Sequence, residues 1–148
     1  MDLLERSAIF QFIEARETLE AEIAYLAAKR ATAEDVQKLG KIIRNMKREF
    51  SSNDEAITAD ANFHVALAEA TQNFVYVSMI KLNLNMYRQV RKQTLHIPYR
   101  TEAALSEHIE IFEAVKNKDA DGAKRAMYEH LKQLKQYVLN GGERFGNY

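Results

Sequence analysis

Asp60 and His64 stand four residues apart, and His108 and His130 follow further along the chain. A spacing of four puts Asp60 and His64 on one helix face, a turn apart. Both fall on an otherwise apolar stripe, Ile57, Asp60, His64, Leu67, Thr71. His108 interrupts a second stripe, Leu105, His108, Ile109, Phe112, Val115, and His130 a third, Ala123, Met127, His130, Leu134, Tyr137. Burying an unpaired imidazole or carboxylate costs several kcal/mol unless each finds a partner. One divalent cation shared by Asp60, His64, His108 and His130 satisfies all four; neutral imidazole suits Zn, Ni, Fe and Cu, of which Zn or Ni is expected. Four protein ligands leave a position open for water or a ligand oxygen if the ion takes five or six. A lone Asp-x-x-x-His is more often a hydrogen-bonded pair, and a lone core His more often a satisfied one. Three stripes that each carry a ligand type make the difference. His96, beside Pro98, lies on none of them.

Arg16 falls on a further stripe, between Ile13 and Leu19, with Glu20 four residues on. The plain reading is a snorkelling Arg or an Arg16–Glu20 pair at the rim. The functional one is a fixed fork aimed into a cavity and suited to a carboxylate. Arg88 borders another inward face, either in the same role or as a solvated surface Arg. The di-iron bundle pattern, His-Glu-x-x-His, Gly-rich phosphate loops and Gly-x-Ser-x-Gly are missing. Arg44, Lys47 and Arg48 read as a solvated face rather than a recognition helix.

Helices must position these residues. The chain has five Gly, one Pro and no Cys in 148 residues, and no alternating run or Asn-Gly hairpin signal. Helix 1 is expected from about Glu5 to Ala31. Helix 2 opens at Thr32 as N-cap, with Val36, Leu39, Ile43, Met46 and Phe50 inward. Ser51-Ser52-Asn53 breaks the chain and caps helix 3, about Asp54 to Thr71. After the Gln72-Asn73 corner, helix 4 runs from about Phe74 to Leu95, with Val77, Ile80, Leu84 and Tyr87 inward. Pro98 forces a connection. Helix 5 spans about Thr101 to Lys116. Asp119 caps helix 6, which Gly141-Gly142 ends near Asn140. The expectation is an all-α antiparallel bundle of about six helices, with a central metal and effector cavity.

Composition bounds the rest. Twenty-one Lys+Arg against 21 Asp+Glu leave no net field for nucleic acid or anionic membrane. Without Cys there are no disulfides, zinc ribbons or thiol catalysis. No apolar run is long enough to span a bilayer, and the N-terminus lacks a basic n-region, so the expectation is one cytoplasmic domain over residues 1–148.

The run Glu107-His108-Ile109-Glu110-Ile111-Phe112-Glu113-Ala114-Val115, then Asp119, Ala123, Met127 and Glu129-His130-Leu131, resembles the C-terminal half of the FCD domain. That is the effector-binding domain of FadR-subfamily GntR transcription regulators. Asp60-Ala61-Asn62-Phe63-His64 with Ala70-Thr71-Gln72-Asn73 resembles its third helix, and Glu14-Ala15-Arg16 with Leu19-Glu20 and Leu26-Ala27-Ala28 its first. The match runs in order over nearly the whole chain. The resemblance implies a helical bundle that holds a metal through Asp60, His64, His108 and His130, binds an organic acid beside it, and forms homodimers. It implies that Arg16 lines the effector site, and the corner Asn73 belongs to the same pattern. With Arg88 they make up the expected effector-binding set. The family's regulators carry a winged helix-turn-helix ahead of this domain. This chain has none, so it reads as a fragment or a stand-alone sensor, with DNA reached only through another domain.

Two other functions fit the residues: a metal-dependent hydrolase on a helical bundle, or a metal-free interaction module. Against the hydrolase, Glu107 and Glu129 adjoin ligand histidines and so point about 100° away from them. Neither is a convincing general base.

Overall fold

In this computed structural model, which describes residues 2–48 and 52–145, every regular element is a helix. In chain order these are α1 (Leu3–Arg30), α2 (Ala33–Met46), α3 (Asn53–Ala70), α4 (Phe74–Leu82), α5 (Leu84–Thr94), α6 (Arg100–Lys116) and α7 (Ala120–Phe145). The short polar residues at the corners set most starts. Asp2 Oδ1 accepts from Glu5 N at 2.8 Å, and Thr32 and Asp35 form a reciprocal capping box. Ser52 accepts from Glu55 N, Asn73 from Val75 N, and Asp119 from Gly122 N. Phe50 and Ser51 lie outside the described residues.

Two boundaries differ from expectation. The single helix expected over Phe74–Leu95 is two, because the chain leaves helical geometry at Asn83, φ −109° and ψ 13°. Its side-chain amide bonds back to Met79 O at 2.8 Å, taking a carbonyl the helix ladder would use. Neither Gly nor Pro marks this break. At the other end, α7 continues through Gly141 and Gly142 to Phe145. Glycine ends a helix by turning left-handed, and the left-handed residues here are Gln72, Tyr99 and Lys118 instead, each at a corner.

The long helices α1 and α7 pack along each other, α6 lies on α7, and α3 contacts α1, α2, α4 and α5. The core between them includes Ile9, Ile13, Ile23, Phe63, Leu67, Ile111, Met127 and Leu131, with Ala24, Ala27, Ala28, Ala66 and Ala68 where helices come closest. The polar residues buried in that core come mostly from α1, α3, α5, α6 and α7. Among the described residues no helix is long and apolar enough to cross a membrane.

Candidate metal centre

On α3 the helical repeat carries His64 inward and leaves Asp60, a turn earlier, near the edge with a side chain 15% exposed. On α6 the buried stripe is Arg100, Ala104, His108, Ile111 and Val115. It is turned slightly from the expected one, so Leu105, Ile109 and Phe112 are half-buried flanks. On α7 it is Ala123, Met127, His130, Leu134 and Val138. These three stripes meet. One nitrogen from each of His64, His108 and His130 lies within 4.8 Å of the others. The rings of His108 and His130 have centroids 4.7 Å apart, and His64 stands 5.6 and 5.8 Å from them.

Two of the imidazoles are held from behind. His64 Nδ1 donates to Glu20 Oε1 at 2.5 Å, and His130 Nδ1 to Glu107 Oε1 at 2.6 Å. An ionised carboxylate only accepts, so both protons belong on Nδ1 and the Nε2 lone pairs remain as acceptors, that of His64 with an Arg16 nitrogen 3.4 Å away. Buried carboxylates behind histidines are the usual supports of metal ligands, fixing tautomer and ring orientation. His108 has no such support. Its Nε2 is buried without a hydrogen-bond partner, and Asp60 Oδ1, 3.5 Å away, is out of line for one.

Glu20 and Arg16 form the i,i+4 pair expected from the sequence, but in the interior rather than at the rim. Arg16 Nε donates to Glu20 Oε2 at 2.5 Å, and Tyr87 Oη donates to the same oxygen at 2.9 Å. The Arg16 guanidinium stacks 4.2 Å from the Tyr87 ring centroid, and its Nη2 faces His64 Nε2 at 3.4 Å. Burial pushes the Glu20 carboxyl up, but Arg16 and His64 outweigh it and hold it well below the usual range. A second group mirrors this one. Arg100, 1% exposed, gives Glu107 two parallel bonds of 3.1 and 2.8 Å and lies over Tyr137. Glu107 therefore serves His130 on another helix. Burial pushes its carboxyl up, with Arg100 opposing.

The electrostatics keep His108 and His130 neutral. Burial brings the pKa of His108 down to about 3, with Asp60 opposing. Burial, helped by His108 and His64, takes His130 well below its ordinary value. Burial pushes Asp60 up, but His64, His108, Arg91 and Arg16 together bring it below its usual value. Neutral imidazoles with an ionised carboxylate are the protonation states that cation binding requires.

Beside the cluster is a cavity of about 20 Å³, lined by Arg16, Asp60, Tyr87, Arg91, Arg100 and His130 among others. A second, of about 100 Å³, reaches Asp60, Arg91 and His108 from the side of Thr101 and Glu102. Of the expected effector residues, Arg16 lines the first. Arg88 does not: it is exposed and borders an outer groove with Asp54, Lys92 and His96. The helix restarts at Asn83, and the inward guanidinium of α5 is Arg91, four residues after Tyr87. Asn73 is half-buried, caps α4, and lines neither cavity. Sequence reasoning missed Arg91, Arg100 and the role of Glu107. A signal existed for two: Arg91 follows Tyr87 by four, and Arg100 continues the stripe of His108 by two turns.

This helical frame is that of a known domain family. The FCD domain family matches residues 11–133, and the chain belongs to it. It is similar to the Uxu operon transcriptional regulator of Escherichia coli, 36% identical over 138 residues, covering 88% of this chain and 53% of that protein. The Uxu operon regulator of Haemophilus influenzae is 34% identical over 132 residues, covering 85% of this chain and 49% of that protein. The HTH-type transcriptional repressor NanR of Klebsiella aerogenes is 30% identical over 130 residues, covering 85% and 49%. The chain spans about half the length of these curated relatives. A solved Streptococcus agalactiae GntR shares the fold, with a TM-score of 0.73 and 24% identity over 86% of this chain and 58% of that one. These relatives are regulators by name.

Proposed function

We propose that this chain is the ligand-sensing and dimerising part of a cytoplasmic GntR-type transcription regulator. Asp60, His64, His108 and His130 would hold a divalent cation, Zn or Ni, and a small organic acid would bind beside it. The observation that carries this reading is the orphaned Nε2 of His108. It is buried beside two other imidazoles, with one nitrogen from each of the three within 4.8 Å of the others. Without a cation, that arrangement leaves a buried polar atom unsatisfied, at a cost of about 1–3 kcal/mol. When bound, the cation supplies a Lewis-acidic point for a carboxylate oxygen.

The chain's own residues do the rest. Glu20 and Glu107 fix the tautomers of His64 and His130. Arg16 sits with one nitrogen against the cluster and can turn it toward an arriving carboxylate. A cation held by one nitrogen from each histidine, at metal–nitrogen distances of about 2.0–2.1 Å, would tie α3, α6 and α7 to one point. A ligand that fits one arrangement of those helices better than another shifts the balance between them, and an attached DNA-binding domain would register the shift. The apolar residues Phe74, Val75, Met79 and Leu82, exposed on α4, offer a face for a second copy.

The test is elemental analysis of tag-free protein, followed by melting with EDTA and with added Zn²⁺ or Ni²⁺. About one ion per chain and a higher melting temperature when loaded are expected. Protein that takes up neither ion, and melts identically in all three conditions, would sink the reading.

A further inference from the structure

Two cavities adjoin the histidine cluster, and they differ in charge and in how they meet the surface. The smaller, about 20 Å³, has three guanidinium groups in its wall, from Arg16, Arg91 and Arg100, and one carboxylate, Asp60. Every residue that lines it is buried except Asp60. The larger, about 100 Å³, lies between the end of α2, the first half of α3 and the first turns of α6. Its wall holds two carboxylates, Asp60 and Glu102, and one guanidinium, Arg91. Glu102 is exposed and Asp60 half-buried. His108, in the same wall, is 2% exposed, and its Nε2 is the nitrogen without a partner. The larger cavity thus leads from solvent to His108, with Asp60 Oδ1 3.5 Å from that nitrogen.

A divalent ion that crosses a protein shell without oxygen ligands loses its hydration uncompensated. Guanidinium groups repel it and carboxylates draw it in. Guanidiniums outnumber carboxylates three to one in the closed cavity, and carboxylates lead two to one in the open one. The Glu102 carboxylate makes no hydrogen bond or ion pair among the described residues, so it can meet a hydrated ion at the surface. Arg91, the opposing charge, is tied through a terminal nitrogen to Thr101 Oγ1 at 3.3 Å. Met46, Ala56 and Leu105 supply apolar walls. A space of about 100 Å³ holds several waters, so an ion there keeps part of its shell until Asp60 is within reach. We propose that this cavity is the passage by which the cation enters and leaves, with Glu102 collecting it at the mouth and Asp60 handing it to His108. This rests on the reading of Asp60 and the histidines as a cation site.

The test measures Zn²⁺ uptake by stopped flow against a chelating dye, Zn²⁺ release into excess chelator, and affinity at equilibrium. It compares wild type with Glu102→Gln, Ala56→Leu and, as a control, Glu113→Gln. Glu113 is an exposed carboxylate of the same helix that lines neither cavity. Expected for Glu102→Gln is uptake slowed about two- to fivefold at low salt, with the difference gone near 1 M salt. Ala56→Leu fills part of the passage. It slows uptake and release together, each about tenfold, and leaves affinity within about twofold, because a passage sets the barrier and not the end states. Glu113→Gln matches wild type. If Ala56→Leu does not fold, Leu105→Phe, which narrows the passage from α6, carries the comparison. Slowing of one rate alone with affinity shifted to match, or of neither rate, would overturn the passage. Uptake slowed equally by Glu102→Gln and Glu113→Gln would overturn the role of Glu102. Both results leave the cation site standing, whereas failure of wild type to bind Zn²⁺ removes site and passage together.

Discussion

Glu107 and His130 meet across two helices, carboxylate Oε1 to ring Nδ1 at 2.6 Å, although Glu107 is the sequence neighbour of His108. The 100° step along α6 that turns Glu107 away from His108 is what delivers it to α7. A residue that looks poorly placed beside one histidine is thus the support of another. Arg100 pins it there with two further bonds.

Replacing that support has a measurable outcome. Glu107→Gln keeps the size of the side chain and removes the charge behind His130. Cation affinity should fall about 10- to 100-fold, as it does when supports of this kind are lost. Competition against a chelating dye checks this. Unchanged affinity would mean that His130 does not bind the ion through the nitrogen opposite Glu107.

The cation-free protein should respond to pH through its buried neutral imidazoles. His108, ordinarily near 6.5, titrates in the fold at about 3 because burial disfavours its charged form. Between those values the unfolded chain binds more protons than the native one, so stability rises with pH. The contribution is fully present above about 6.5 and is lost as pH falls toward 3. Urea midpoints measured in EDTA from about pH 4 to 8 should climb and then level off. His108→Leu should flatten the climb, leaving the part due to His130. It should also raise the midpoint near pH 7, because it removes an unsatisfied nitrogen. A flat wild-type profile would contradict neutral burial.

Arg16 and Glu20 should fail together. Arg16→Ala leaves Glu20 buried with His64 and Tyr87 as its remaining partners. It should cost about 3–5 kcal/mol, and Glu20→Ala a similar amount for the opposite reason. The double variant should cost clearly less than the sum, since neither charge is then stranded. Denaturant titration of the four proteins gives the coupling, and additive losses would show that the pair is not a unit.

Much of this arrangement is legible in the amino-acid order. The three interrupted stripes led to His64, His108 and His130 because a polar residue at a core spacing needs a reason to be there. Thr32, Ser52 and Asp119 marked helix starts through the chemistry of their side chains. The losses have physical causes too. Asn83 breaks a helix by a side-chain bond that no local pattern announces. That break also makes Arg91, rather than Arg88, the inward arginine of α5. Arg100 sits two residues past Pro98, where a connection was expected, though it extends the His108 stripe. Gly141 and Gly142 stay helical, because a glycine permits a helix end without requiring one. The partner that a buried carboxylate takes on another helix, as Glu107 takes His130, depends on helix order in space, which periodicity does not encode.

The chamber lined by Arg16, Arg91 and Arg100 measures about 20 Å³, room for roughly one water. On the proposed function, a carbon acid entering that chamber would have to prise neighbouring rods apart, so admission and signalling would be one event: a guest settled there would already have displaced its walls.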